Sequence, residues 1–172
     1  MTDLSPKRVD RSVAARLAGA LPVVTLVSGP AGCGKTELAR DLARQAGFRH
    51  AELPVAARMA GAGAFLAAVS TAAGAALPGA DVPALAADDL RFGHVWLERL
   101  MAAAVAGGPF CLQLDDLHEL GQGSAAEQLL AVAARAAPAG FHLLVTTRRP
   151  PGPPWARLLA EGMAVLVGVD DL

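Results

Sequence analysis

The residues best suited to chemistry in this sequence stand in one short glycine-rich run. Residues 29–36 fit the pattern G-x-x-x-x-G-K-[ST] at every fixed position, ending in Lys35 and Thr36. Glycines without a Cβ let backbone N–H groups approach phosphate oxygens. In such a loop the lysine reaches the β- and γ-phosphates, and the threonine hydroxyl ligates Mg²⁺. The predicted cofactor-binding residues are Gly29, Pro30, Ala31, Gly32, Cys33, Gly34, Lys35, Thr36 and Glu37, and Lys35 is also predicted to take part in catalysis.

Two acids follow a second apolar run. Residues 110–114 (FCLQL) predict a buried strand that leads directly into Asp115 and Asp116. The carboxyl end of a parallel strand lies beside the phosphate loop. Asp115 is therefore predicted to hold Mg²⁺ together with Thr36, largely through water. Asp116 is predicted to orient or deprotonate the attacking water.

A third polar group closes another predicted strand. Residues 141–147 (FHLLVTT) end in Thr146 and Thr147, and Arg148 follows. At this strand end a hydroxyl or a guanidinium can distinguish ATP from ADP. The simpler alternative is a solvated basic turn formed by Arg148 and Arg149.

Strands and helices alternate around these motifs. Strands are predicted at 23–28, 48–55, 110–114, 141–147 and 163–169, and helices at 11–20, 37–46, 62–75, 88–106, 124–136 and 155–161. Asp88 is the predicted cap of one helix, and Ser124 with Glu127 forms a predicted capping box for another. This alternation predicts a parallel sheet covered on both faces, and hence an α/β fold.

Composition excludes several classes. The chain has 172 residues, 53% of them hydrophobic and many of those alanine, and a formal charge of −1. It is long enough for one domain, residues 1–172 with a flexible lead-in at 1–10, and it shows no polybasic surface for nucleic acid. Two cysteines and a polar, leaderless start predict a cytoplasmic protein, and no stretch is apolar enough for a membrane span.

The combination of motifs resembles the STAND class of P-loop ATPases. The matching segments are VDR at 9–11, LVSGPAGCGKTELA at 26–39, LQLDDLHEL at 112–120 and HLLVTTRRPPGPPWARLLAEG at 142–162. The nearest subgroup is the MalT-like, large LuxR-family transcriptional regulators, and the NB-ARC proteins are more distant. The resemblance covers the chain from about residue 9 to its end, except for residues 56–87.

This resemblance implies a fold and further roles. It implies a three-layer αβα sheet of five strands in the order 5-1-4-3-2. Val9 and Arg11 would lie near the adenine and ribose, and Arg148 would sense the γ-phosphate. Asp115 and Asp116 would form the Walker B pair.

The resemblance also implies a function. Members of this class are switches that bind ADP or ATP with Mg²⁺, hydrolyse slowly and self-associate when ATP is bound. We expect the chain to be the N-terminal nucleotide-binding domain of a longer regulator, whose sensor and DNA-binding domains lie elsewhere in the polypeptide. This fragment itself is expected to contact no DNA.

Three alternatives remain open at this point. A stand-alone nucleotide or small-molecule kinase would need an arginine-rich lid. An AAA+ ATPase would need an arginine finger and a helical domain. A scaffold that has lost nucleotide binding would not need Lys35, Thr36 and Asp115, which the sequence retains.

Overall fold

The computed structural model describes residues 21–79, 81–85 and 92–168. This part of the chain contains five strands and five helices, with one helix in each connection between strands except the second, which has two. The strands are β1 (Val24–Ser28), β2 (Arg49–Pro54), β3 (Phe110–Asp115), β4 (Phe141–Thr147) and β5 (Ala164–Val167). The helices are α1 (Lys35–Gln45), α2 (Ala62–Ala76), α3 (Gly93–Val105), α4 (Ala125–Arg135) and α5 (Pro153–Ala160), with 3₁₀ turns at Ala57–Met59 and Leu117–Leu120.

All five strands pair in parallel in the order β2-β3-β4-β1-β5. Read from the other edge, this is the predicted order, so the α/β fold and its topology are confirmed. The strand before the glycine loop, β1, lies between β4 and β5. The strand that ends in the two acids, β3, is separated from β1 by β4, so the polar ends of β1, β3 and β4 meet at one edge.

The two faces of the sheet are covered by different helices. On one face, Val27, Cys111 and Leu144 are fully buried against Leu38 and Leu42 of α1. Side chains alternate along a strand, so neighbouring residues point to the opposite face. There the larger cluster includes residues of α2, α3, α4 and α5, with Trp96 of α3 and Trp155 of α5 at 0% exposure.

The residues at the N-terminal cap positions of α1 and α3 are Gly34 and Phe92. Gly34 caps α1 in a left-handed conformation at φ +89°, which glycine adopts without steric cost. α3 begins at Gly93, with Phe92 at its cap position. The predicted start at Asp88 was too early, and Asp88 itself lies outside the described residues. The predicted helix at 11–20 also lies outside them.

The capping box of α4 forms only in part. The Ser124 hydroxyl accepts a hydrogen bond from the Glu127 N–H at 3.2 Å, as predicted. The Glu127 carboxylate, however, does not return to the Ser124 N–H, which donates to the Gly121 carbonyl. It accepts instead from Gly123 N–H at 2.5 Å and from the Trp155 indole N–H at 2.9 Å, which ties α4 to α5.

None of the helices in the described ranges combines the length and the apolar character that crossing a membrane requires.

A buried histidine makes stability depend on pH. His142 in β4 is 2% exposed, and its ring stacks on Phe48 with centroids 5.6 Å apart. Its Nε2 lies 3.1 Å from the Thr25 hydroxyl. Burial lowers the pKa of His142 to about 4, against the weaker opposing effect of a backbone hydrogen bond at Pro22.

We predict that this histidine destabilises the fold as the pH falls from about 6.5 to 4. In that window the unfolded chain binds a proton at residue 142 and the folded chain does not, so the free energy of unfolding decreases by roughly 3 kcal/mol. His142→Gln should remove this part of the pH dependence. Urea unfolding of both proteins between pH 7 and 4 measures it, and parallel curves would contradict the assignment.

Candidate nucleotide-binding site

The glycine loop connects β1 to α1 and is fixed at both ends. Gly29 N–H donates to the Thr147 carbonyl at 3.1 Å, which anchors the loop to the end of β4. Gly32 and Gly34 have φ of +77° and +89°, conformations that favour glycine. The loop therefore leads into the N-terminus of α1, where free N–H groups and the helix dipole favour an anion.

Lys35 is held beside this loop. Its side chain is largely buried, with 6% of the residue exposed. Nζ donates to the Pro30 carbonyl at 2.7 Å and lies 3.9 Å from Cys33 Sγ. The ammonium group is thus already placed at the loop that would hold the phosphates.

The hydroxyl of Thr36 meets the acid at the end of β3. Thr36 Oγ1 donates to both carboxylate oxygens of Asp115, each at 2.9 Å, although the two residues are 79 apart in sequence. Thr146 Oγ1, from the end of β4, donates to Asp115 Oδ1 at 2.5 Å. Hydroxyl and carboxylate oxygens are the donors that Mg²⁺ prefers, with water and phosphate oxygens completing its shell. This donor set fits a magnesium ion.

Asp116 has a strained backbone. At φ +61° it is the one non-glycine residue with positive φ in the described part of the chain, a conformation that costs roughly 1–3 kcal/mol. Its N–H donates to Thr146 Oγ1 at 2.9 Å, and its carbonyl accepts from Glu119 N–H at 2.9 Å. These contacts hold the residue so that its carboxylate faces the glycine loop.

Arg148 forms an ion pair with this carboxylate. Its Nε lies 3.4 Å from Asp116 Oδ1, and both side chains are part-exposed. His118 lies behind them with its Nδ1 at 3.7 Å from the same oxygen, and its side chain is 9% exposed. Nδ1 is buried without a hydrogen-bond partner. The structure thus brings Asp116, His118 and Arg148 together at one point.

A cleft of about 310 Å³ lies between these groups. It is lined by Ala31, Gly32, Gly34, Lys35, Thr36, Glu37, Asp116 and Arg148. Loop residues, the helix start and the predicted catalytic and sensor residues therefore face one space. Gly29, Pro30, Cys33 and Asp115 are not part of this lining, although Pro30 and Cys33 contact Lys35 and Asp115 contacts Thr36.

Glu37 also engages its neighbours. Its carboxylate pairs with Arg40 at 2.6 Å, and Arg40 in turn binds Glu52 of β2 through two nitrogens. The hydrogen bond from Arg40 holds the pKa of the Glu52 carboxyl below its usual range. Val9 and Arg11, predicted near the adenine and ribose, lie outside the described residues.

The two cysteines differ in burial. Cys33 is part-exposed in the loop, whereas Cys111 is fully buried in β3, where burial raises its pKa to about 12.

Within the described residues no group of three or more His, Cys, Asp or Glu side chains could hold a metal ion. The oxygen donors around Asp115 therefore need phosphate and water oxygens to complete a metal shell.

The motifs were predicted from the sequence, but the direct contacts between them were not. These contacts are the hydrogen bonds from Thr36 to Asp115 and those that join Thr146 to Asp115 and Asp116. The only signal for these contacts was the common position of Asp115, Thr146 and Arg148 at strand ends.

The fold and this site define a P-loop nucleoside triphosphatase. The family model for the ATPase family associated with various cellular activities (AAA) matches residues 25–162, and the chain belongs to that family. Membership implies nucleotide binding. The AAA family, which the sequence analysis kept open as an alternative, is therefore the level at which the chain is placed. A search of curated proteins gave no match.

Solved structures show the same fold. The Orc1 protein of Aeropyrum pernix, in complex with DNA, superposes with a TM-score of 0.59 at 21% identity, over 98% of this chain and 46% of that one. A DNA replication initiation factor gives 0.52 at 18% identity, over 95% and 46%. AMPPCP-bound DnaA from Aquifex aeolicus gives 0.51 at 15% identity, over 95% and 46%. The chain thus spans less than half the length of these proteins.

Proposed function

We propose that this chain is an adenine-nucleotide-dependent switch domain with slow Mg²⁺-dependent ATPase activity. The observation that carries the proposal is the contact between the phosphate loop and the acidic strand end, in which Thr36 Oγ1 donates to both oxygens of Asp115. A hydroxyl and a carboxylate at this separation can share one cation with the phosphates of a bound nucleotide. AMPPCP-bound DnaA from Aquifex aeolicus has this fold, which supports a nucleotide as the ligand of this chain.

Different residues around the cleft would bind the phosphates and the Mg²⁺ ion. Backbone N–H groups of residues 31–36, at the N-terminus of α1, would bind the phosphates. Lys35 would leave the Pro30 carbonyl and contact the β- and γ-phosphates. Thr36 and Asp115 would hold Mg²⁺, which supplies charge neutralisation at the phosphates when bound.

Asp116 and Arg148 would act at the γ-phosphate. The carboxylate of Asp116 lines the cleft and can accept a proton from an attacking water. Its ion pair with Arg148, at 3.4 Å, engages the two groups with each other. A γ-phosphate would compete for the guanidinium, and the freed carboxylate could then orient water. This exchange would couple the nucleotide state to the loops after β3 and β4.

The finer assignment is to the STAND-type, LuxR/MalT-like regulators. It is supported by the Asp-Asp-x-His run at 115–118 and the Arg-x-Pro-Pro run at 148–151, both of which lie at the cleft or beside it. We propose that residues 1–172 form the nucleotide-binding domain of a longer regulator and that ATP drives its self-association. DNA binding would belong to another domain, because the chain has a net charge of −1.

We predict that Lys35→Ala lowers the affinity for ADP with Mg²⁺ by at least about a hundredfold, because it removes the buried ammonium that contacts the phosphates. The fold should persist, since the hydrogen bonds of the Lys35 ammonium are to loop atoms, those of Pro30 and Cys33. Calorimetric titration measures the affinity, and Arg44→Ala, a highly exposed cation in the last turn of α1, is the matched control. Unchanged affinity in Lys35→Ala would refute the phosphate-loop assignment.

We predict that Asp116→Asn retains nucleotide binding and slows ATP turnover about 10²- to 10⁴-fold, the usual contribution of a general base. Single-turnover phosphate release measures the rate. Glu161→Gln removes a carboxylate that pairs with Arg135 and Arg157 outside the cleft, and it should leave the rate unchanged. An unaltered rate in Asp116→Asn would exclude Asp116 as the base.

A further inference from the structure

A second cavity lies next to the nucleotide cleft and shares its loops. It has a volume of about 300 Å³ and is bounded by the 3₁₀ turn after β3, the loop after β4 and the start of α5. Leu26, Leu117, Pro151 and Trp155 form apolar walls. A volume near the lower limit for ligand pockets suits a small molecule with an apolar body.

One side chain in the wall is a buried acid. Glu127 is 6% exposed, and its carboxylate accepts hydrogen bonds from Gly123 N–H and from the Trp155 indole. Within the described residues it has no ion-pair partner. A buried carboxylate with only neutral donors retains lone pairs, and a cationic donor would bind it more strongly.

The opposite charge in the lining comes from Arg149. Its backbone is fixed, because its N–H donates to Thr147 Oγ1 and its carbonyl accepts from the same hydroxyl, both at 3.2 Å. Its guanidinium is exposed, and in the described part of the chain it makes no hydrogen bond or ion pair. A planar guanidinium of this kind is suited to a carboxylate.

We propose that this cavity binds a free α-amino acid with an apolar side chain. The ammonium group would pair with Glu127, the carboxylate with Arg149, and the side chain would pack on Trp155 and its apolar neighbours. A zwitterion matches the two opposite charges, whereas a singly charged ligand would leave one of them without a partner.

The site is separate from the nucleotide cleft but adjoins it. Asp116 and Arg148 face the cleft, while the next residues along the chain, Leu117 and Arg149, face the cavity. Binding of an amino acid can therefore be measured without nucleotide. If no amino acid binds, the proposed ATPase function is unaffected, and Lys35→Ala should leave amino-acid binding intact.

The test compares matched ligands on the unaltered protein. L-Leucine and L-phenylalanine are titrated by saturation-transfer NMR, beside leucinamide, which lacks the carboxylate, and N-acetyl-leucine, which lacks the ammonium. We expect millimolar or tighter binding of at least one amino acid and about tenfold weaker binding of both analogues. Equal binding of the analogues, or no binding of either amino acid, would overturn the proposal.

Two variants then locate the site. Arg149→Ala should weaken binding of the amino acid about tenfold and should not alter binding of leucinamide, which has no carboxylate to lose. Glu127→Gln should weaken it similarly; circular dichroism checks its fold, because Glu127 also caps α4. Arg157→Ala removes a charge outside the cavity, one that pairs with Glu161, and should change nothing. An amino acid that binds Arg149→Ala as well as the parent protein would place the site elsewhere.

Discussion

The arrangement of this protein depends on the hydrogen bonds around the carboxylate of Asp115. Thr36 from the start of α1 and Thr146 from the end of β4 both donate to it, at 2.9 Å and 2.5 Å. One carboxylate thus joins the phosphate loop to two strands that are distant in sequence. A charged acceptor makes such bonds stronger than neutral ones, and removing it would leave two hydroxyls without their acceptor. A magnesium ion would use the same oxygens, so these contacts bring together the groups that would hold it.

The strand order makes this junction possible. β4 lies between β1 and β3, so its last residues stand between the phosphate loop and the acids. Thr146 fills that position, donating to Asp115 and accepting from the N–H of Asp116. The second contact holds Asp116 in its left-handed conformation, which would otherwise be costly. Backbone strain at one residue is thus maintained by a neighbouring strand, and it aims a carboxylate into the cleft.

Much of this could be predicted from local sequence. The glycine loop, the two acids and Arg148 are contiguous motifs whose chemistry depends on spacing, and the alternation of strands and helices fixed the fold class. The strand order followed only from resemblance to a family.

Contacts between residues far apart in sequence could not be predicted, because they depend on strand register and on side-chain rotamers. Glu127 shows this well: its spacing from Ser124 predicted a local capping box, yet its carboxylate binds the indole of Trp155, 28 residues away. The cavity beside the cleft likewise arises from three segments that no single pattern connects.

The most direct test of the central claim is chromatography of whatever nucleotide the protein retains. Freshly purified protein is incubated with ADP and Mg²⁺, freed of unbound ligand, denatured by heat and analysed, with Lys35→Ala treated in parallel. The account predicts adenine nucleotide in near-stoichiometric amount from the parent protein and only background from the variant. No nucleotide from either protein, or equal amounts from both, would contradict the claim that residues 29–36 form a working phosphate-binding loop.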